Sequence, residues 1–68
     1  MLQYAVTQKD GEWTLFEGGK PVVTGFSRSA TLRLAEDLAF KAEERGEGVE
    51  LVVQEYSGEL KERRSFSA

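Results

Sequence analysis

The residues best placed to engage a partner chemically stand together near the end of the chain, where Lys61, Arg63 and Arg64 alternate with Glu62 and Ser65 and the run closes on Phe66. On a regular strand successive residues take opposite faces, so Lys61 and Arg63 share one face and Arg64 joins that of Leu60 and Phe66. From Lys61 to Ala68 three basic residues stand against one acidic, whereas Glu36 to Glu50 holds six acidic against two basic. The chain is thus electrically polarised within a net charge of −3. Arginines on a sheet beside Trp13, Phe16, Tyr56 or Phe66 have the chemistry to stack on unpaired bases. The negative net charge opposes a polyanion, however, and the same arginines serve equally to protect an edge strand by pairing with Glu55, Glu59 or Glu62. The charge balance favours the structural use, with nucleic acid as the rival partner.

Other clusters offer less. Glu43, Glu44, Glu47 and Glu50 present oxygen ligands suited to a hard cation, but no Asp-x-Asp-x-Asp-Gly loop accompanies them, and a solvated helix end accounts for them. The chain has no histidine and no cysteine, which removes the commonest general acid/base, the commonest zinc ligand and every thiolate. Ser27, Ser29, Ser57 and Ser65 therefore have no imidazole to activate them. Gly18-Gly19-Lys20-Pro21 lacks the spacing, the hydroxyl residue after lysine and the following helix that a phosphate loop requires. Gly46-Glu47-Gly48 follows a helix and cannot aim a helix N-terminus at an anion. These observations predict a protein that is not an enzyme and that holds no cofactor and no metal.

The elements that must carry these residues are legible from periodicity. In 68 residues, with 40% hydrophobic and 31% charged, there is room for one domain, spanning residues 1–68, which buries only about 60% of its unfolded surface. Leu2, Tyr4 and Val6 alternate with polar or small residues, predicting a strand from about Leu2 to Gln8. Asp10-Gly11 turns the chain and Trp13 to Phe16 returns it; Gly18-Gly19 punctuates again before a short strand, Pro21 to Thr24, near an edge. Ser27 is the expected N-cap of a helix, with Ser29 as the alternative and Phe26 placed for a hydrophobic staple. Thr31, Leu34, Ala35, Leu38, Ala39 and Ala42 fall on one helical stripe flanked by Leu32, with Arg33, Glu36, Asp37, Lys41 and Glu44 outside it. Gly46 or Gly48 ends the helix. Val49, Leu51 and Val53 alternate with Glu50, Val52 and Gln54 in a further strand, and Leu60 to Phe66 follow the Ser57-Gly58 turn as the last.

Trp13, Tyr4 and Leu15 are expected in the core beneath the alanine-rich helix. Phe40 lies off the stripe and, with Phe16 or Val52 on the far face of the sheet, marks a candidate partner surface. No stretch approaches the length of a membrane span and the N-terminus lacks the pattern of a secretory signal, so a cytoplasmic protein with no membrane contact is expected.

Taken in order, Tyr4-Ala-Val, Asp10-Gly-Glu-Trp13, a glycine turn, Phe26-Ser before an alanine-rich helix, Ala35-Glu-Asp-Leu-Ala39, Glu50-Leu-Val-Val53 and Ser57-Gly-Glu-Leu-Lys-Glu-Arg-Arg-Ser-Phe66 resemble DUF2188, a family of small bacterial domains of unknown function. The resemblance spans nearly the whole chain, and the Glu-Arg-Arg-Ser-aromatic string is its most specific part. It implies the same order of elements and supplies no activity.

The expected fold is α+β: a mainly antiparallel sheet of four to five strands in β-β-(β)-α-β-β order, with one parallel contact near its centre and one helix on one face. The expected function is that of a non-enzymatic protein-interaction or self-associating module, its partner another protein or a second copy in a homodimer. Lys61, Arg63, Arg64, Phe66 and Phe40 are the candidate binding residues. The alternative is a nucleic-acid-associated accessory domain using the basic C-terminal strand.

Overall fold

The computed structural model of the chain describes residues 2–54 with their side chains and residues 60–66 by their backbone. The alternating N-terminal segment forms β1 (Leu2–Lys9), and β2 (Glu12–Glu17) returns antiparallel beside it. Asp10 and Gly11, which join them, both have positive φ, 53° and 81°. That is the two-residue turn whose twist matches an antiparallel pair. Gly18 and Gly19 repeat it with φ of 58° and 87° and lead into β3 (Lys20–Phe26). Gly18-Gly19 is therefore a hairpin connection, and Pro21 sits on an edge strand, where its missing amide breaks no internal ladder.

The third strand exceeds the Pro21–Thr24 run expected of it and takes in Phe26, the residue just before the helix cap. Phe26 is the last residue of β3, opposite Trp13, and is 53% exposed. Its staple partner, the fourth helical residue, is Thr31. That buried hydroxyl donates back to the Ser27 carbonyl at 2.8 Å.

Ser27 caps α1 (Arg28–Glu44), its hydroxyl accepting from the Ala30 amide at 3.1 Å. The first turn carries no acidic residue. Arg28 instead stands at the positive end of the helix dipole, which by itself is unfavourable. Its guanidinium is held elsewhere: Nε donates to the Gln54 carbonyl at 3.0 Å, and the group lies 5.8 Å from the centre of the Trp13 ring. Arg28 thereby fastens the helix start to two strands, with a cation–π contribution. At the other end Gly46, φ 88°, donates to Glu43 and Glu47 donates to Ala42, the paired bonds of a Schellman stop.

After the helix, β4 (Val49–Gln54) runs parallel to β1, and β5 (Leu60–Phe66) is antiparallel to β4. The sheet order is β3-β2-β1-β4-β5. The fold is α+β, one helix over a mixed sheet, with the parallel contact between β1 and β4 at its centre. The expected Ser57-Gly58 turn lies outside the described residues.

Tyr4, Val6, Trp13, Leu15, Val49, Leu51 and Val53 form one buried cluster with Ala35, Ala39 and Ala42 of the helix. Leu2, Val23, Leu32, Leu34 and Leu38 close its margins. The three alanines place no bulk between helix and sheet, so the backbones approach closely and the larger side chains come from the strands.

Tyr4 carries the one polar tip in this cluster that titrates. Burial is the main influence raising its phenol above the ordinary 10.0, and the hydrogen-bonded Glu17 carboxylate adds to it. Below that pH both folded and unfolded chains keep the proton and the contribution is complete. Above it the unfolded chain ionises first, so stability falls until the native phenol itself ionises. Urea midpoints measured from about pH 9 to about pH 11 should therefore fall more steeply for the natural chain than for Tyr4→Phe. Parallel pH profiles for the two proteins would contradict this assignment.

Candidate interaction surface

The helix covers one face of the sheet, and strand alternation places a second set of residues on the other. Across that second face the register aligns Pro21, Phe16, Ala5, Val52 and Arg63 in one row spanning all five strands. Four of the five are apolar. Beside it runs a row of Thr24, Thr14 and Thr7, and on the other side Gln3 and Glu50 join by a 2.9 Å hydrogen bond. Val52, 7% exposed, lies outside the helix-side cluster, so its neighbours on this face bury it.

Thr14 is 1% exposed on the same face and needs a partner for its hydroxyl. Its oxygen lies 3.0 Å from that of Thr24, which donates to the Glu12 carboxylate at 3.1 Å. The single Thr14 proton then goes to Thr24 or to the Glu12 carbonyl at 3.2 Å. This chain of hydroxyls ties the edge strand β3 to β2. With Lys9, Asp10 and Pro21 it lines a surface depression of about 270 Å³. A second depression, about 490 Å³, borders Ser27, Ser29, Ala30, Arg33, Leu34 and Asp37. Ser27 spends its oxygen on the helix cap there.

The acidic residues weighed as a cation site do not converge. Glu50 accepts from Gln3, and Glu47 pairs with Arg45 at 3.5 Å. Among the described residues no group of three or more potential metal ligands is gathered. No described helix is long and apolar enough to cross a membrane.

Of the predicted binding residues, Phe40 lies on the outward side of α1 and is 52% exposed. Lys61, Arg63, Arg64 and Phe66 all fall on β5, the outermost strand on the β4 side; their side chains, and Tyr56, lie outside the described residues. The register sets Arg63 opposite Val52, Arg64 opposite Leu51 and Phe66 opposite Val49. It passes from Glu62 directly to Leu60 at an irregularity beside Val53 and Gln54. Lys61 is therefore the unmatched residue, so the regular strand on which Lys61 and Arg63 are expected to share a face is interrupted between them and Leu60. Among the described residues, Trp13 and Phe16 do not form an aromatic platform beside β5. Trp13 is buried against the helix, and β2, which carries Trp13 and Phe16, is three strand spacings from β5, roughly 14 Å.

The two outer strands differ in their fitness to accept another strand. Pro21 deprives β3 of an amide, Gly25 has φ of 90°, and the pairing of β3 with β2 shifts register twice. These are the features that blunt an edge. By contrast Val49 to Val53 pair with Phe66 to Glu62 without interruption, so β5 presents the more regular edge.

Sequence reading did not find the Thr14–Thr24–Glu12 chain or the Arg28 clasp. Both join residues brought together by pairing or by the helix crossing, and no local spacing signals them. The run of threonines at Thr7, Thr14 and Thr24 was the one available hint. No protein-family model, curated protein or solved structure matches the chain.

Proposed function

We propose that this chain is a non-enzymatic interaction module, a cytoplasmic member of the DUF2188 family, that docks another polypeptide along the outer edge of β5. The observation that carries the reading is the contrast between the two outer strands. β3 has proline, a left-handed glycine and two register shifts against further pairing, whereas β5 continues regularly from Glu62 to Phe66. Adding a strand to such an edge gives main-chain hydrogen bonds for affinity and alternate side-chain positions for specificity. A homodimer by the same route is the self-associating form. Nucleic acid is the second reading, supported by Lys61, Arg63 and Arg64 and opposed by the net charge and the position of Trp13.

The test is selection of random displayed peptides against the immobilised full chain, alongside sedimentation velocity up to high micromolar concentration. Enrichment of β-prone extended peptides, or a concentration-dependent dimer, is the expected result. A strict monomer that enriches no peptide would remove the proposal.

A further inference from the structure

We infer that the main-chain carbonyl of Gln54 is a two-position contact, able either to close the ladder between β1 and β4 or to hold the start of the helix, and that the structure shows it in the helix-bound position. The inference concerns the end of β4 and stands whether or not β5 docks a partner.

The ladder determines where that carbonyl belongs. In a parallel pair the hydrogen bonds are evenly spaced, and a strand turns its main-chain groups toward the same neighbour at every second residue. The first rung joins the Leu2 amide to the Gly48 carbonyl at 2.9 Å, one residue before Val49, the partner of Leu2. Carried forward two residues at a time along the register that runs from Leu2 with Val49 to Val6 with Val53, the same rule sends the Gln8 amide to the Gln54 carbonyl. The bond goes elsewhere. The Gln8 amide donates to Oε1 of the Gln54 side chain, and the Gln54 carbonyl accepts from Arg28 Nε at 3.0 Å.

Arg28 has reason to hold that oxygen. It stands at the N-terminus of α1, where the helix dipole opposes a cation, and a carbonyl offers it a charge-assisted bond beside the Trp13 ring, 5.8 Å away. The oxygen it takes is the one due to Gln8, and the Gln54 side chain fills the place with an oxygen of its own. Residue 54 therefore needs a side chain that can accept, as an amide does. The register agrees. Pairing of β1 with β4 stops at Val6 and Val53, and pairing of β4 with β5 shifts between Val53 and Gln54, so β4 leaves its regular course at the residue whose carbonyl has turned to the helix. In the second arrangement the carbonyl serves Gln8, the side chain is released from it, and the helix start loses its hold on β4.

The experiment is NMR of the isotope-labelled full chain, reading scalar couplings across hydrogen bonds together with amide exchange. In the natural chain the Gln8 nitrogen should couple to the side-chain carbonyl carbon of Gln54. In Arg28→Met the coupling should move to the main-chain carbonyl carbon of Gln54. Gln54→Leu removes the substitute acceptor while Arg28 retains the main-chain one, so exchange at the Gln8 amide should rise at least about tenfold beyond any rise at Val6. Adding Arg28→Met to Gln54→Leu frees the carbonyl and should bring Gln8, relative to Val6, back to within about threefold of the natural chain. Val6 is buried on the same strand and beside the same neighbour, so the comparison removes changes in overall stability.

Coupling of Gln8 to the main-chain carbonyl in the natural chain overturns the inference, as does a coupling that stays on the side chain in Arg28→Met. A double variant whose Gln8 amide exchanges as fast as in Gln54→Leu alone also overturns it. If Gln54→Leu does not fold, the two couplings still decide the matter, because they need only the natural chain and Arg28→Met.

Discussion

Replacing Leu51 by alanine should leave the chain substantially unfolded at room temperature. Leu51 is fully buried on a central strand, paired with Tyr4 on one side and with Arg64 on the other, and belongs to the cluster beneath Ala35, Ala39 and Ala42. Truncating such a side chain removes its transfer free energy and opens a cavity, together costing about 2–5 kcal/mol. A single-core domain of this length typically has only about 3–5 kcal/mol to lose, and without cysteine no disulfide supplements it. Val22 is 55% exposed, so Val22→Ala should stay within about 0.5 kcal/mol of the natural chain. Urea unfolding followed by circular dichroism compares the three proteins. A Leu51→Ala chain as stable as Val22→Ala would mean that β4 does not bear on the core as described.

The second large effect runs in the opposite steric direction. Ala39 has no exposed surface and faces the sheet from the middle of α1. Ala39→Leu adds three carbons where helix and strands already meet, and overpacking of this kind costs about 1–3 kcal/mol. The same change at exposed Lys41, two residues on, leaves the helix nearly as favourable in intrinsic propensity, since leucine and lysine rank together. Ala39→Leu should therefore show a clearly lowered urea midpoint and Lys41→Leu should not. Equal effects would place the cost in the helix itself and not in its contact with the sheet.

These two substitutions also mark where sequence reading succeeds. The core stripe of α1 and the alternation of β1 and β4 are local periodicities, and of the residues they select Thr31, Ala35, Ala39, Ala42, Tyr4, Val6, Val49, Leu51 and Val53 are buried, while Leu2, Leu34 and Leu38 are partly buried at the margin. Turns are legible for the same reason, because Asp10-Gly11 and Gly18-Gly19 require backbone conformations that few other residues supply. Ser27 as the helix cap belongs with them.

What depends on pairing between distant segments is less legible. The length of β3 is set by the register of β2, which draws Lys20 and Phe26 into the ladder although neither alternation nor propensity extends the strand that far. The irregularity at Lys61 likewise arises from how β5 meets β4, so a face assignment based on period two fails there. Phe40 was legible as an off-stripe aromatic, and the basic strand as a candidate surface. That β5 rather than β3 offers the regular edge required the sheet order and the positions of the register shifts. The Arg28 clasp was invisible because its partners, Trp13 and the Gln54 carbonyl, come from two different strands.

The most direct test of the central claim is an amide-resolved NMR titration of the full chain with a β-prone peptide enriched in the display selection. Docking along β5 predicts that the largest shift changes and new exchange protection fall on Glu62 to Phe66, with smaller changes on the paired residues Val49 to Val53 and little along Lys20 to Phe26. Changes concentrated on β3, or on the helix surface around Phe40 with β5 unaffected, would contradict it.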